Sequence, residues 1–385
     1  MRFGSIDQAP VRATQGSGAQ RRSVGVVVVL LVLWTAADSA MALPRYTARY
    51  GQDCRLCHVN PTGGGLRNAY TSQFLVPEEL ASAGGRPRAD ADEGAATEGE
   101  STRPALPVDI TVGADLRTLA WMQEGGEGTV FSMQGDVYLA LAAPGDVQLY
   151  AEQGQRGGGE VFGLAHGVIP HGYLKAGRFV PDYGWRFDDH RLFSRRYLFA
   201  ADGVDDPSGL LGSGAEAGVA AGGLSATVSV LDGEPELGRN YAARALLRQE
   251  LGAVRAGVGA SIWKRGGAGG GSRAAGAFWY LSGGPVTWLG EMDETRGGDR
   301  LGRLLTNELT VEMRRGLAAR LVYCFQDPDR AYRDGARHRL GAGVAWLARP
   351  SLGLQVMANR WRVDEGFAVN DVDRYDGEVM VHFLY

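Results

Sequence analysis

Three cysteines occur in 385 residues. Two stand close together in Cys54-Arg55-Leu56-Cys57, and the next residue is His58. Two thiols one helical turn apart can add to the two vinyl groups of one porphyrin. The histidine that follows then falls beneath the iron as its proximal ligand. The spacing predicts one covalently attached haem c, with Cys54 and Cys57 holding the macrocycle and His58 the iron. A Cys54–Cys57 disulfide leaves His58 without a role. A structural zinc site needs four ligands, and no second Cys/His pair lies nearby. Cys324 stands far away in a stretch of strand character and reads as a small buried filler.

The surroundings of this motif add a constraint. Between Leu43 and Leu106 there is no other histidine and no methionine. A free-standing cytochrome draws its second axial ligand from Met or His. Here the iron is five-coordinate, or weakly ligated, or served from elsewhere in the chain. The distal candidates are His171 in Ile169-Pro170-His171-Gly172, His166 just before it, and His190 in a long loop. The segment 43–80 is also short. Below about 40 residues a chain rarely holds a core of its own, so this piece must lean on something larger.

Upstream, residues 1–42 read as an export signal. Arg21 and Arg22 precede an apolar run from Val24 to Trp34, which falls short of the about 20 residues a spanning helix needs. Ala40-Met41-Ala42 then has the small-x-small form of a cleavage site. Export matters, because c-type haem is attached outside the cytoplasm. Downstream, residues 81–106 are rich in Ala, Gly, Glu, Ser and Pro, with no aromatic residue and no period. They read as a disordered linker.

From 107 to 385 the sequence alternates with period two, the mark of strands. Leu305, Leu309, Val311 and Met313 alternate with Thr306, Glu308, Thr310 and Glu312. Leu317, Leu321 and Phe325 alternate with Arg320, Cys324 and Gln326. About sixteen such segments follow one another, joined by loops that are long and short in turn, as in an outer-membrane barrel. Val379, Val381, Phe383 and Tyr385 share one face at the end of the chain, like a barrel-assembly signal. The predicted fold is all-β, an antiparallel transmembrane β-barrel preceded by a short, mostly α or irregular haem module.

Glycine supplies 58 residues, with no collagen period. Gly257, Gly259, Gly341 and Gly343 fall on one face of their strands, where small residues are expected to leave room in a lumen. The formal charge of −4, from 40 basic and 44 acidic residues, argues against a nucleic-acid partner. Lysine appears only at Lys175 and Lys264, which reads as coding bias.

One connection, Pro181 to Ser213, is far longer than the rest. In sixteen-stranded porins the third external loop folds inward and narrows the pore, and by count this loop holds that place. Arg186, Arg191, Arg195 and Arg196 are its candidate constriction residues, beside Asp182, Asp188 and Asp189.

The layout resembles the fused monohaem cytochrome–porins of the bacterial outer membrane, taken as a broad group that includes iron oxidisers. Ala48-Arg49-Tyr50-Gly51 ahead of Cys54, and Pro61 three residues after His58, look like the haem neighbourhood of that family. Lys175-Ala176-Gly177-Arg178-Phe179, with Tyr183-Gly184, resembles phosphate-selective porins. Gly63-Gly64-Gly65 and the acidic linker depart from the iron oxidisers. The resemblance implies electron transfer across the outer membrane rather than hydrolysis or group transfer. Its expected partners are outer-membrane lipid, periplasmic cytochromes or other carriers, and an extracellular metal or redox partner, with iron among the candidates. The alternatives are an anion-selective diffusion porin with a structural or gating haem, and an accessory barrel for a partner cytochrome.

Overall fold

A computed structural model describes residues 44–83, 108–126, 128–155, 159–187, 192–199, 210–232, 238–266, 271–332, 335–364 and 372–384. The expected export signal, most of the expected linker, His190, Arg191 and Tyr385 lie outside the described residues.

Sixteen strands form one closed barrel. The first eight are β1 (Asp109–Gln123), β2 (Thr129–Ala143), β3 (Val147–Gly154), β4 (Val161–His166), β5 (Gly172–Phe179), β6 (Gly212–Ala221), β7 (Leu224–Leu231) and β8 (Asn240–Leu251). The rest are β9 (Val254–Arg265), β10 (Ser272–Gly283), β11 (Val286–Gly297), β12 (Arg300–Arg314), β13 (Leu317–Asp327), β14 (Arg337–Arg349), β15 (Leu352–Val363) and β16 (Val372–Leu384). Each pairs antiparallel with its sequence neighbours, and β1 closes on β16 with Leu119 opposite Met380. Closure leaves no free edge, so every strand finds backbone partners within the wall.

The period-two pattern points the opposite way from that of a water-soluble protein. On β12, Thr306, Glu308 and Thr310 are buried, while Leu309 and Met313 are exposed. On β13, Arg320, Cys324 and Gln326 are buried and Leu321 is exposed. Val112, Leu149, Val228, Ile262 and Val356 continue the apolar outside around the barrel. Such a surface matches a hydrocarbon surround, with polar groups turned to the lumen. Among the described residues no helix is long and apolar enough to cross a membrane.

One rim carries tight turns. Gly222-Gly223, Gly252-Ala253 and Gly284-Pro285 each join two strands, with φ of +58°, +63° and +54° at the first glycine. Two-residue hairpins of matching twist need such left-handed positions. The opposite rim bears the longer loops, with one departure from the expected alternation. β11 and β12 meet through Gly298-Asp299 alone, because the strands run on until Gly297 pairs with Arg300. The lumen glycines also depart from expectation. Gly257 and Gly259 lie under the rings of Tyr280 and Phe278, so the room they leave is already filled by neighbouring strands.

The N-terminal segment packs inside this wall. Helix α1 (Pro44–Tyr50) buries Tyr46 and Ala48. Its Arg45 faces Glu308 at 3.9 Å, and Arg49 pairs with Glu312, both on β12. From β9, Arg255 donates to the carbonyl of Arg49 at 2.7 Å. A π-helical stretch, Thr71–Leu80, buries Leu75, Val76 and Leu80 against Leu347. The first residues of the expected linker are then held at the short-turn rim. Ser82 N donates to the carbonyl of Leu347 at 2.9 Å, and Ala83 N to that of Ala348 at 3.1 Å. A segment too small for its own core thus takes its apolar partners from the barrel.

Candidate functional site

The Cys54–His58 stretch is a single tight turn. Cys54–Leu56 form one 3₁₀ turn, capped by the Asp53 carboxylate, which accepts from Arg55 N at 3.0 Å. Cys57 N and His58 N both donate to the Cys54 carbonyl, at 3.1 and 3.0 Å. Asn68 fastens the turn from behind. Its Nδ2 donates to the carbonyls of Arg55 and Leu56, at 2.9 and 3.0 Å, and its Oδ1 accepts from Thr71 N at 2.9 Å. Both thiols are free. Burial pushes the Cys54 thiol up to about 12 and also raises that of Cys57. Burial, with Arg67 and Arg186 nearby, pushes the His58 imidazole down to about 3.

From His58 the chain forms a small hairpin that returns at Arg67, with Val59 N donating to the Leu66 carbonyl at 3.0 Å. Three consecutive left-handed glycines turn it: Gly63, Gly64 and Gly65 have φ of +88°, +75° and +62°. A side chain in that region costs roughly 1–2 kcal/mol. A Cβ on Gly64 would also approach Arg186 Nε at 2.6 Å. Gly125 has a similar φ of +69° with open space around it. Gly64→Ala is therefore expected to destabilise the protein by more than Gly125→Ala, whose loss is about 1–2 kcal/mol. Urea unfolding in detergent measures both; equal losses would show that Arg186 yields without cost.

Beyond the hairpin lies a cavity of about 520 Å³. His58, Gly64, Gly65 and Arg67 line it from the inserted segment. Arg117, Met133, Gln134, Asp136, Tyr138 and Glu152 line it from the wall. A smaller pocket of about 30 Å³ is lined by Cys54, Cys57, His58, Gly64, Arg186 and Arg244. His58, Gly64 and Arg186 thus border both spaces.

The long connection, 180–211, folds inward over its described residues. Tyr183 donates from its hydroxyl to Asp293 at 2.8 Å, and Gly184 N to Ser261 Oγ at 2.9 Å. Trp185 N donates to Glu291 at 2.7 Å. Leu192, Phe193 and Ser194 are wholly buried, the last two in a one-turn helix α2 (Phe193–Arg196). Arg186, Arg195 and Arg196 all line the larger cavity. Arg186 pairs with Glu160 at 2.9 Å and Arg195 with Glu291 at 3.3 Å, while Arg196 lies over the Tyr197 ring.

The structure brings Cys54, Cys57, His58, Arg186, Arg195 and Arg196 around these two adjoining spaces. It brings neither of the two described distal candidates, His166 and His171, there. His171 occupies the β4–β5 turn at the short-turn rim with φ of +57°, and is exposed. His166 ends β4 beside that turn and does not line the cavity. His382, which carried no ligand pattern in the sequence, is on the inner wall, where its Nε2 meets Asp115 at 2.8 Å and Arg117 at 3.0 Å.

Several residues were not legible as site residues. Asn60 donates to Glu160 at 3.1 Å and accepts from the Thr62 hydroxyl at 2.9 Å, bracing the hairpin against the wall. Lys175 on β5 is buried, pairing with Glu216 at 2.7 Å and lying over the Phe179 ring at 4.3 Å. The scarcity of lysine was the one available signal for it, and coding bias does not account for this placement.

These residues fit a covalently attached haem. Two free thiols stand beside a histidine, the set that covalent haem attachment requires. His58 borders both the thiol-lined pocket and the larger cavity. The adjoining cavity lies within the ~300–1,000 Å³ typical of cofactor sites.

No protein-family model matches the chain, and no curated protein matches it. Solved structures do. An anion-selective porin from Comamonas acidovorans is 14% identical and covers 72% of this chain and 100% of its own, with a TM-score of 0.54. The outer-membrane expressed OmpT of Vibrio cholerae is 9% identical and covers 72% and 98%, with a TM-score of 0.53. At such identities the likeness is one of fold: a porin-like barrel.

Proposed function

We propose that this chain is a bacterial outer-membrane barrel that carries one covalent haem c in its lumen and passes electrons between an external donor or acceptor and periplasmic carriers. The observation that carries the reading is the placement of His58, which borders both the small pocket lined by two free cysteines and a cavity of cofactor size. A bound haem would supply one-electron redox chemistry. The chain's own residues do the rest. Cys54 and Cys57 would fix the macrocycle and His58 would hold the iron, while Asn68 holds the turn that carries them. The wall and the inward loop surround the site with fixed charges and hydrogen-bonding groups, which would tune its potential. Iron and other soluble redox metals are candidate external partners.

A second reading has its own support. The barrel alone fits a channel as well as a conduit, and arginines 67, 117, 186, 195 and 196 line the cavity, as an anion filter would require. Against it, Arg186 and Arg195 are already neutralised by Glu160 and Glu291, and residues 44–83 occupy the lumen. Purified protein is expected to stain for haem on a denaturing gel and to titrate reversibly with one electron. Its conductance in planar bilayers is expected to be low. Open, anion-selective pores from protein lacking covalent haem would favour the channel instead.

A further inference from the structure

We propose that the thioether sulfur of Met133 would serve as the second ligand of the iron beside His58, whose cavity it shares. The inference rests on the haem reading above and names the ligand that the N-terminal segment lacks. The ligand must share the cavity that His58 borders. Among its described lining residues, His58 is the one histidine and Met133 the one methionine. Two phenols also line it, one of them firmly bonded and the other beside a carboxylate. Tyr183 donates to Asp293 at 2.8 Å, and Tyr138 reaches Asp136 at 3.4 Å. The other methionines lie elsewhere: Met122, Met292 and Met313 are exposed on the barrel, while Met357 and Met380 are buried outside the lining.

The backbone makes a specific provision for Met133. On β2, Gln134, Asp136 and Tyr138 line the cavity, and Val137 and Leu139 are exposed. Unbroken alternation would put Met133 on the outside with Val137. The register with β1 shifts here: Arg117 stands opposite Gln134, and Thr118 opposite Ser132. Met133 is the extra residue of this bulge, and it is only 6% exposed. A bulge re-aims a side chain at the cost of one unpaired ladder position, and such features recur beside functional sites. Around it, Leu119, Met380 and Trp121 make an apolar patch on an inner wall that is otherwise polar. A thioether is a weak hydrogen-bond acceptor and loses little in such a place. An apolar patch also keeps water from the sulfur, and Met ligation raises a haem potential. The competing account is that Met133 merely fills a gap.

The experiment uses the full chain, matured with haem and purified in detergent. Wild type, Met133→Leu, Met133→His and Met380→Leu are compared, first by haem stain and then by absorption spectrum, carbon monoxide binding and midpoint potential. Met133→Leu keeps the volume of the site. It is expected to retain covalent haem, lose the low-spin spectrum and gain carbon monoxide binding in the reduced form. Met133→His is expected to restore a low-spin spectrum at a lower potential, and Met380→Leu to leave the spectrum unchanged. If Met133→Leu does not fold, the potential shift in Met133→His decides. Covalent haem with wild-type spectra and potential in both Met133 variants overturns this inference alone. Absence of covalent haem from the wild type overturns the parent reading, and this one with it.

Discussion

Replacing Cys54 and Cys57 together with serine is expected to abolish haem staining on a denaturing gel while the barrel still folds. The two effects separate because the thiols do little for the wall. Both are free, and the turn that carries them is held by other groups: Asp53 at its start, Asn68 behind it and the Cys54 carbonyl within it. Each single replacement leaves one thioether bond and is expected to weaken attachment rather than remove it. His58→Ala is expected to leave the attachment chemistry in place and to change the spectrum, because the imidazole serves the iron and not the porphyrin edge. Heat-modifiable migration reports the barrel independently of haem. Equal haem staining in the double serine variant and the wild type would end the haem reading, whatever the barrel does.

Lys175→Met is expected to destabilise the folded barrel by about 3–5 kcal/mol, the usual penalty for removing one partner of a buried ion pair. The magnitude follows from complete burial of both side chains at a separation of 2.7 Å. Without the ammonium, Glu216 keeps acceptor contacts from the Tyr173 hydroxyl at 2.9 Å and Ser229 Oγ at 2.8 Å, but its charge is uncompensated. Lys175 also reaches Thr62 at 3.4 Å and Asn60 at 3.5 Å, so its loss loosens the hairpin below His58. Removing both charges, as in Lys175→Met with Glu216→Leu, is expected to recover part of the loss. Urea unfolding of the single and double variants in one detergent measures this coupling. A loss below about 1 kcal/mol in Lys175→Met would place the pair among the weak, solvent-screened ones.

The barrel was legible because its signal is local and repeated. Each strand carries the alternation by itself, as Thr306 to Met313 shows, and a two-residue turn announces itself by glycine. The alternation also had to be read in the right sense. Apolar residues outside and charges inside, as with Leu309 and Glu308, follow from a solvent that is hydrocarbon outside and polar within. The glycine face at 257 and 259 misled, because a strand's own sequence says nothing of the Phe278 and Tyr280 rings beside it. The short join at Gly298-Asp299 was missed because polar residues such as Arg296 and Arg300 continue the ladder there instead of ending it.

Of the candidate site, Cys54, Cys57 and His58 were legible because their chemistry depends on spacing along a few residues. The run Gly63-Gly64-Gly65 was visible, but its purpose was not. Three left-handed positions in succession acquire meaning only when Arg186 and Tyr150 press on the hairpin they turn.

The sequence by itself determined which faces the strands present, where two cysteines and a histidine stand at the spacing of a haem attachment site, and that the segment carrying them is too short for a core of its own. Those properties are carried by residue type at short range. Only the tertiary structure decided that residues 44–83 enter the lumen, that the long loop folds in beside them, and that Met133 turns toward the cavity. Each of these is fixed by partners distant in the chain, as Asn60 is by Glu160 one hundred residues on. A period-two pattern states which way a side chain points, while closure of the barrel and one bulge decide what it meets there.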